Sequence, residues 1–203
     1  MSRSDAYAAG TPSPEMTSKE TDHPVLQRPQ ADLLDRWQTA DGTVIVIRPL
    51  RADEAAQELE FLQSLSRQTR YERTFSHRGM LGPGELCQLV HFDVHREVAL
   101  VAAVQGDAPD AFAAVARLKK SPSGDVFEFA IVVSDTWQHR GVGTRLLRKL
   151  LEVARHAGIP RLTGTTFATN EAMKGLARKA GFTVRSDPDD ASLSILDIDL
   201  RAS

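Results

Sequence analysis

The order of apolar segments predicts an α+β fold: a mixed, mostly antiparallel central sheet of about seven strands with flanking helices. Two observations support this class. Apolar runs in the middle of the chain are separated only by turn-forming residues, which favours antiparallel strands. Strand-like and helix-like segments then alternate, which is typical of a β-α-β crossover. The predicted strands span 44–48, 97–105, 111–119, 126–133, 162–166, 182–185 and 193–199.

Apolar residues at helical spacing predict the helices that flank this sheet. One stripe runs over 55–65, a second short helix is expected after Ser66, and a third after the Gly-Pro-Gly break at 82–84. The strongest pattern spans 142–157, where one apolar stripe has Arg, Lys and Glu on its other faces and glycine and proline follow. The last helix is predicted over 170–180.

Residues 1–40 are predicted to form a flexible tail, and residues 41–203 the folded domain. The tail holds four of the ten prolines among polar residues, a composition typical of disorder. Leu33, Leu34 and Trp37 are spaced as one helical turn, which we expect to dock on the domain.

Composition and charge exclude several classes of protein. The 203 residues carry 25 Lys and Arg against 27 Asp and Glu, a formal charge of -2, so no global basic field directs the chain to nucleic acid. Apolar runs such as 98–104 are far shorter than the ~20 residues that span a bilayer. The N-terminus lacks an apolar segment, and Cys87 is the single cysteine. We therefore expect a cytoplasmic protein without nucleic-acid or membrane partners.

The segment 138–144 reads Gln-His-Arg-Gly-Val-Gly-Thr and predicts an anion site. It lies between a predicted buried strand and the N-terminus of the strongest helix. Glycines allow the backbone to turn tightly and to approach a ligand, and the first turn of a helix offers unpaired N–H groups at the positive end of its dipole. Such a site suits a pyrophosphate.

Three other interpretations of this segment are weaker. A dinucleotide fingerprint needs a third glycine where Leu146 stands and an acidic residue about 20 positions later, where Arg161 and Leu162 stand. A Walker A loop needs Gly-Lys-Ser/Thr, which is missing. A glycine-rich turn that only connects strand and helix is the structural alternative.

The remaining pattern, Gln-x-x-Gly-x-Gly, resembles the acyl-CoA pyrophosphate loop of the GNAT N-acetyltransferase superfamily. Segments similar to the catalytic domain of bacterial protein lysine acetyltransferases are 48–50, 66–71, 96–101, 127–130, 137–143, 170–173 and 177–182. The resemblance covers most of the chain from Thr43 to about Arg185. It implies a GNAT fold whose crossover carries the loop, acetyl-CoA as cosubstrate without a metal, and a protein lysine as the favoured acceptor.

The resemblance also implies which residues bind acetyl-CoA. These are Ile131, Val133, Gln138, His139, Arg140, Gly141, Val142, Gly143, Thr144 and Asn170. Ile131 and Val133 are expected to act through backbone N–H groups that hold the thioester carbonyl and the pantetheine arm. Asn170 could equally be an N-cap of the following helix.

Glu128 is the candidate general base. A lysine amine with an ordinary pKa near 10.4 costs about 4.6 kcal/mol to deprotonate at pH 7, so direct transfer needs a base or a desolvating site. Glu128 stands mid-strand between Phe127 and Phe129, where partial burial would raise its pKa, and the matching glutamate in relatives is the general base. The alternative is an outward-facing residue paired with a neighbouring Arg or Lys.

Other features leave alternatives open. Ala177 stands where many GNAT enzymes place a tyrosine that protonates the leaving thiolate, so no general acid is assigned. A small-molecule amine acetyltransferase and a non-catalytic acyl-CoA sensor are the competing functions. One face of the second predicted helix carries Arg67, Arg70 and Arg73. This row either contacts an acidic substrate surface or the CoA phosphates, or it is a solvent-exposed face without a binding role. Cys87 is interpreted as packing, and the histidines at 77, 91 and 95 lack metal-ligand spacing.

Overall fold

The computed structural model describes residues 34–75, 97–106, 110–121 and 126–201, which form an α+β structure around one sheet. The strands are Asp35–Gln38 (β1), Val44–Pro49 (β2), Glu97–Val104 (β3), Ala111–Lys120 (β4), Phe127–Val133 (β5), Arg161–Phe167 (β6), Thr183–Ser186 (β7) and Leu193–Asp199 (β8). The α-helices are Ala55–Ser64 (α1), Arg67–Thr74 (α2), Val142–His156 (α3) and Glu171–Lys179 (α4), with 3-10 turns at Ala52–Glu54 and Asp135–Trp137. The helix expected after 82–84, Cys87 and the histidines at 77, 91 and 95 lie outside the described residues.

The sheet confirms the predicted mixed architecture. The strand order is β1-β2-β3-β4-β5-β6-β8-β7. Only β5 and β6 pair in parallel, and α3 is the crossover between them. Every other pair of neighbours is antiparallel.

The described residues form eight strands rather than about seven, because β1 was expected to be a helical turn. Trp37 pairs with Ile45 across a hairpin, and Gly42 has a φ of 86° in the turn. A positive φ costs glycine little, so the hairpin can close there. The helical prediction for Trp37 is therefore wrong, Leu34 is exposed, and the sheet begins before residue 41.

Two apolar layers cover the faces of the sheet. The stripe predicted over 142–157 buries Leu146, Leu147 and Leu150 of α3 completely on one face. Phe61 and Leu62 of α1 are buried on the other face. Each fully buried leucine contributes roughly 1.5–3 kcal/mol, so α3 is held firmly against the sheet.

The sheet opens between β5 and β6, and this opening positions the site. The two strands pair only at Phe127 with Leu162 and at Glu128 with Thr163. On its other edge β5 stays paired with β4 as far as Val133. The edge of β5 that faces β6 is therefore unpaired beyond Glu128, which leaves a gap in the middle of the sheet.

Candidate active site

A cleft of about 1220 Å³ occupies this gap between β5, β6, α2, α4 and the loop before α3. Nine of the eleven predicted site residues line it, namely Glu128, Ile131, Val133, Gln138, His139, Gly141, Gly143, Thr144 and Asn170. The structure therefore brings together residues as far apart in the chain as Glu128 and Asn170, which are 42 positions apart. Arg140 and Val142 are the two that do not line the cleft.

Arg140 and Val142 point elsewhere. The Val142 side chain is fully buried in the core. Arg140 borders a neighbouring pocket, pairs with Asp41 at 2.8 Å and lies over the ring of Trp137 with its guanidinium carbon 5.1 Å from the centroid. These two residues therefore offer their main chain to a ligand in the cleft, and their part in pyrophosphate binding stays a prediction.

Unpaired N–H groups of β5 point into the gap. The N–H of Ser134 donates to the carbonyl of Ala113 on β4 at 2.9 Å. Because successive N–H groups of a strand alternate in direction, those of Val133 and Ile131 point away from β4. The carbonyl of Val133 also faces the gap, since it accepts a hydrogen bond from the Gln138 side chain. Ile131 and Val133 thus present their main chains as predicted.

The loop before α3 turns through two residues in the left-handed region. His139 has a φ of 59° and Gly141 has a φ of 81°, and α3 starts at Val142. A non-glycine residue with positive φ is uncommon and concentrates at functional sites. Successive N–H groups in such turns form an anion-binding concavity, which the N-terminus of α3 reinforces.

Gly143 allows this loop to lie against β5. A Cβ added at Gly143 would come within 3.1 Å of the Val133 Cγ2 atom, closer than side chains normally pack. The Gln138 Nε2 atom donates to the Val133 carbonyl at 3.2 Å and to the Thr69 hydroxyl at 3.3 Å. Gln138 therefore ties the loop to β5 and α2, a positioning contact that the sequence pattern did not reveal.

The side chain of Asn170 is engaged within the protein. Its Oδ1 accepts a hydrogen bond from the N–H of Met173 at 2.9 Å, which confirms the N-cap alternative. Its Nδ2 donates to Glu72 of α2, also at 2.9 Å. A second N–H of this amide group remains for a ligand in the cleft.

Helix α2 crosses the gap and contacts both sides of it. Thr69 accepts from Gln138 on the β5 side. On the β6 side Glu72 accepts from Asn170, and the Tyr71 ring stacks on Phe167 with centroids 4.6 Å apart. One face of α2 thereby closes the cleft over the strands.

Asp135 anchors the start of α2, a role that no sequence motif indicates. Its carboxylate accepts hydrogen bonds from the Ser66 N–H at 2.9 Å and from the hydroxyls of Ser66 and Thr69 at 2.7 Å. Desolvation raises the pKa of Asp135, but these hydrogen bonds outweigh it and hold the pKa below its ordinary value. Ser66, the predicted helix start, is the N-cap of α2.

Glu128 lies in the cleft but is exposed rather than partly buried. The expectation of burial is wrong because its face of β5 opens into the cleft at this end of the strand, whereas Phe127 and Phe129 are buried on the opposite face. Lys119 stands directly opposite Glu128 on β4. No hydrogen bond or ion pair joins Glu128 to another residue within the described ranges, so its carboxylate is available to a substrate.

The three arginines of α2 have different environments. Arg67 is exposed, and Arg70 donates to the carbonyl of Gln63 at 2.9 Å. Arg73 alone lines the cleft. The three arginine side chains therefore do not form the continuous row that was predicted.

Arg117 forms a buried ion cluster with two glutamates. Arg117, only 6% exposed, contacts Glu58 at 2.6 and 2.7 Å and Glu97 at 2.8 Å. Burial lowers the pKa of Arg117, but the hydrogen bonds that it donates to Glu58 and Glu97 outweigh this effect and raise the pKa overall. The opposite holds for Arg73, whose pKa is lowered by burial and by the charge of Arg117.

The described part of the chain lacks two kinds of feature. Within it, no three His, Cys, Asp or Glu side chains are arranged to hold a metal ion. None of its helices has the length and apolar character needed to span a membrane.

Comparison with known proteins identifies the family. The model of the acetyltransferase (GNAT) family matches residues 59–182, more than half of the chain. The chain belongs to the GNAT acetyltransferase family. Acetyltransferase PA5475 of Pseudomonas aeruginosa is 31% identical to this GNAT protein over 160 residues, which are 78% of the chain and 86% of that relative.

Solved structures agree with this assignment. The GNAT domain of S. lividans PAT is 26% identical, with a TM-score of 0.73 over 85% of this chain and 99% of that domain. The fold of yncA from Salmonella typhimurium, solved with acetyl-CoA, gives a TM-score of 0.57 at 18% identity over 77% of this chain and 94% of that one. The GNAT protein is thus an acetyltransferase that uses acetyl-CoA.

Proposed function

We propose that this GNAT protein is a cytoplasmic N-acetyltransferase that acetylates a protein lysine side chain by direct transfer, with Glu128 as general base. The observation that carries the proposal is the position of Glu128. It lies in the cleft on the same strand as Ile131 and Val133, whose N–H groups face the gap. A proton acceptor and two hydrogen-bond donors therefore lie along one strand that borders the cleft, which supports the proposal.

The residues of the gap fit the parts of acetyl-CoA in order along β5. The loop at 138–144 would hold the pyrophosphate with main-chain N–H groups at the start of α3. The Val133 and Ile131 N–H groups would bind the pantetheine arm and the thioester carbonyl, and the free N–H of Asn170 would bind the arm from the other side. These are mainly main-chain contacts, so they depend on backbone geometry.

Glu128 would remove a proton from the attacking amine. Deprotonating a free lysine costs about 4.6 kcal/mol at pH 7, and a carboxylate within reach, directly or through one water, lowers that cost during the reaction. The amine nitrogen then bonds to the thioester carbonyl carbon as the C–S bond breaks. Negative charge that builds on the carbonyl oxygen is stabilised by the N–H group of Ile131.

The leaving thiolate does not need a dedicated acid in this proposal. Ala177, at the position of the tyrosine in many relatives, is a fully buried residue of α4. A thiol has an ordinary pKa near 8.5, so the thiolate leaves readily and takes its proton from solvent. Loss of that tyrosine therefore gives little support to a non-catalytic sensor.

A protein lysine acceptor is supported by the resemblance of the motifs to bacterial protein lysine acetyltransferases. The likeness to the GNAT domain of S. lividans PAT over 85% of the chain points the same way. The cleft is also large, about 1220 Å³, compared with the ~300–1,000 Å³ of ordinary small-molecule pockets.

The test is to incubate the purified protein with acetyl-labelled acetyl-CoA and a deacetylase-inhibited lysate. We expect label in discrete acid-precipitable proteins, with the acetyl group on lysine by mass spectrometry and the label lost with Glu128→Gln. Label only in the small-molecule fraction would replace the proposal with a small-amine acetyltransferase. Label in neither fraction would favour the sensor.

A further inference from the structure

Arg73 presents hydrogen-bond donors to the cleft that no described residue accepts. It lies on α2 one turn after Thr69 and is partly buried. No carboxylate or carbonyl of the described residues forms a hydrogen bond or ion pair with its guanidinium. A guanidinium carries five N–H donors, and those of Arg73 border the open cleft rather than being sealed in the core. They are therefore available to a ligand that enters the cleft.

The charge of Arg73 is balanced, although no residue in the described part of the chain accepts its hydrogen bonds. Its electrostatic neighbours are Arg117, Glu58 and Glu97. Arg117 takes the direct contacts to both glutamates, and the four charges together sum to zero. This arrangement keeps a charged guanidinium in a partly desolvated place while both glutamates contact Arg117 directly.

Arg73 lies on the acceptor side of Glu128 rather than at the pyrophosphate loop. Arg117, the nearest charged neighbour of Arg73 on the sheet, stands opposite Ala130 in the β4–β5 pair. Glu128 is two residues before Ala130 and points to the same face; such diagonal neighbours are roughly 7–8 Å apart. Lys119, opposite Glu128, also lines the cleft. Two cations therefore flank the proposed base.

We infer that the acceptor carries a carboxylate next to the amine that is acetylated, and that Arg73 binds this carboxylate. The inference rests on the proposed function and deepens it: in a protein acceptor, the carboxylate is an Asp or Glu close to the target lysine. The planar guanidinium can hold both carboxylate oxygens at once. Lys119 adds positive potential at the same end of the cleft.

Matched peptides test this inference. Each peptide has one lysine and a single Glu within two positions of it, and its counterpart has Gln there. We expect wild-type protein to prefer the Glu peptide by at least about tenfold in kcat/KM, mainly through KM, because charge-assisted, bidentate hydrogen bonds are the strong ones. Arg73→Gln should remove the preference, and Arg73→Lys should restore part of it. Arg67→Gln, an exposed arginine of the same helix, is the control.

The outcomes separate this inference from the proposed function. If no peptide reacts but glycine is acetylated in preference to glycinamide, and Arg73→Gln abolishes that preference, the lysine proposal fails and the role of Arg73 stands. Equal rates for every charged and neutral pair, or a preference that survives Arg73→Gln, overturn the inference. If nothing is acetylated, calorimetry of the same peptide pairs on the CoA-saturated protein decides, and equal affinities overturn it.

Discussion

Replacing Gly141 with alanine should weaken acetyl-CoA binding through backbone strain alone. Gly141 has a φ of 81°, and a Cβ added there would have no atom within 4 Å. The substitution therefore introduces no clash, but alanine in the left-handed region costs roughly 1–2 kcal/mol. The exposed loop can relax to avoid this strain, and binding must then restore the original turn. Affinity should fall by about 5- to 30-fold, since 1.4 kcal/mol is tenfold.

Gly158 provides a matched control at the other end of α3. It has a φ of 67° and equally open surroundings, but it does not line the cleft. In calorimetry, the affinity of Gly158→Ala for acetyl-CoA should stay within about twofold of wild type. In urea unfolding, the same variant should lose stability of the same order as the backbone strain, roughly 1–2 kcal/mol. Wild-type affinity in Gly141→Ala, or an equal loss in both variants, would refute the role of the loop conformation.

Three further predictions concern stability. Gly164→Ala should destabilise by about 1–3 kcal/mol in urea unfolding, because its Cβ would lie 2.6 Å from the Phe129 ring; unchanged stability would show that the ring moves freely. Arg117→Met should cost about 3–5 kcal/mol, because it leaves Glu58 buried without its partner; a neutral effect would mean that the cluster is solvated. The pKa of Asp135 is lower in the folded protein than its ordinary value of 3.8. The ionised carboxylate therefore stabilises the fold above pH 3.8, and this contribution is lost as the pH falls through the lower pKa of the folded state. The stability difference between wild type and Asp135→Asn should accordingly be largest near neutral pH and shrink below pH 3.8, and a difference that grows in acid would contradict this sign.

Elements that depend on the spacing of neighbouring residues were predicted from the sequence. The apolar stripe of α3 and the loop before it follow from spacing, and the structure confirms both. β1 was mistaken for a helical turn because Leu33, Leu34 and Trp37 satisfy helical spacing. Its strand form comes from pairing with β2, which is a tertiary contact that no local pattern encodes.

Most predicted site residues line the cleft, but the predicted environment of Glu128 was wrong. The motif resemblance located Glu128 and the main chain of Ile131 and Val133 in the cleft. The exposure of Glu128 could not be predicted, because it depends on where α2 crosses the sheet. The contacts of Asp135 and Gln138 with α2 were missed for the same reason, since they join residues 66 to 69 positions apart, from Thr69 to Asp135 and from Thr69 to Gln138.

The central claim is that Glu128 accepts the amine proton in a direct transfer. The most direct test compares steady-state turnover and acetyl-CoA affinity of Glu128→Gln with those of wild type, using Glu60→Gln, an exposed glutamate of α1, as the control. The account predicts that turnover falls by at least about 10² while acetyl-CoA affinity stays within about twofold, and that the control matches wild type. Unchanged turnover in Glu128→Gln would contradict it and remove Glu128 from the mechanism.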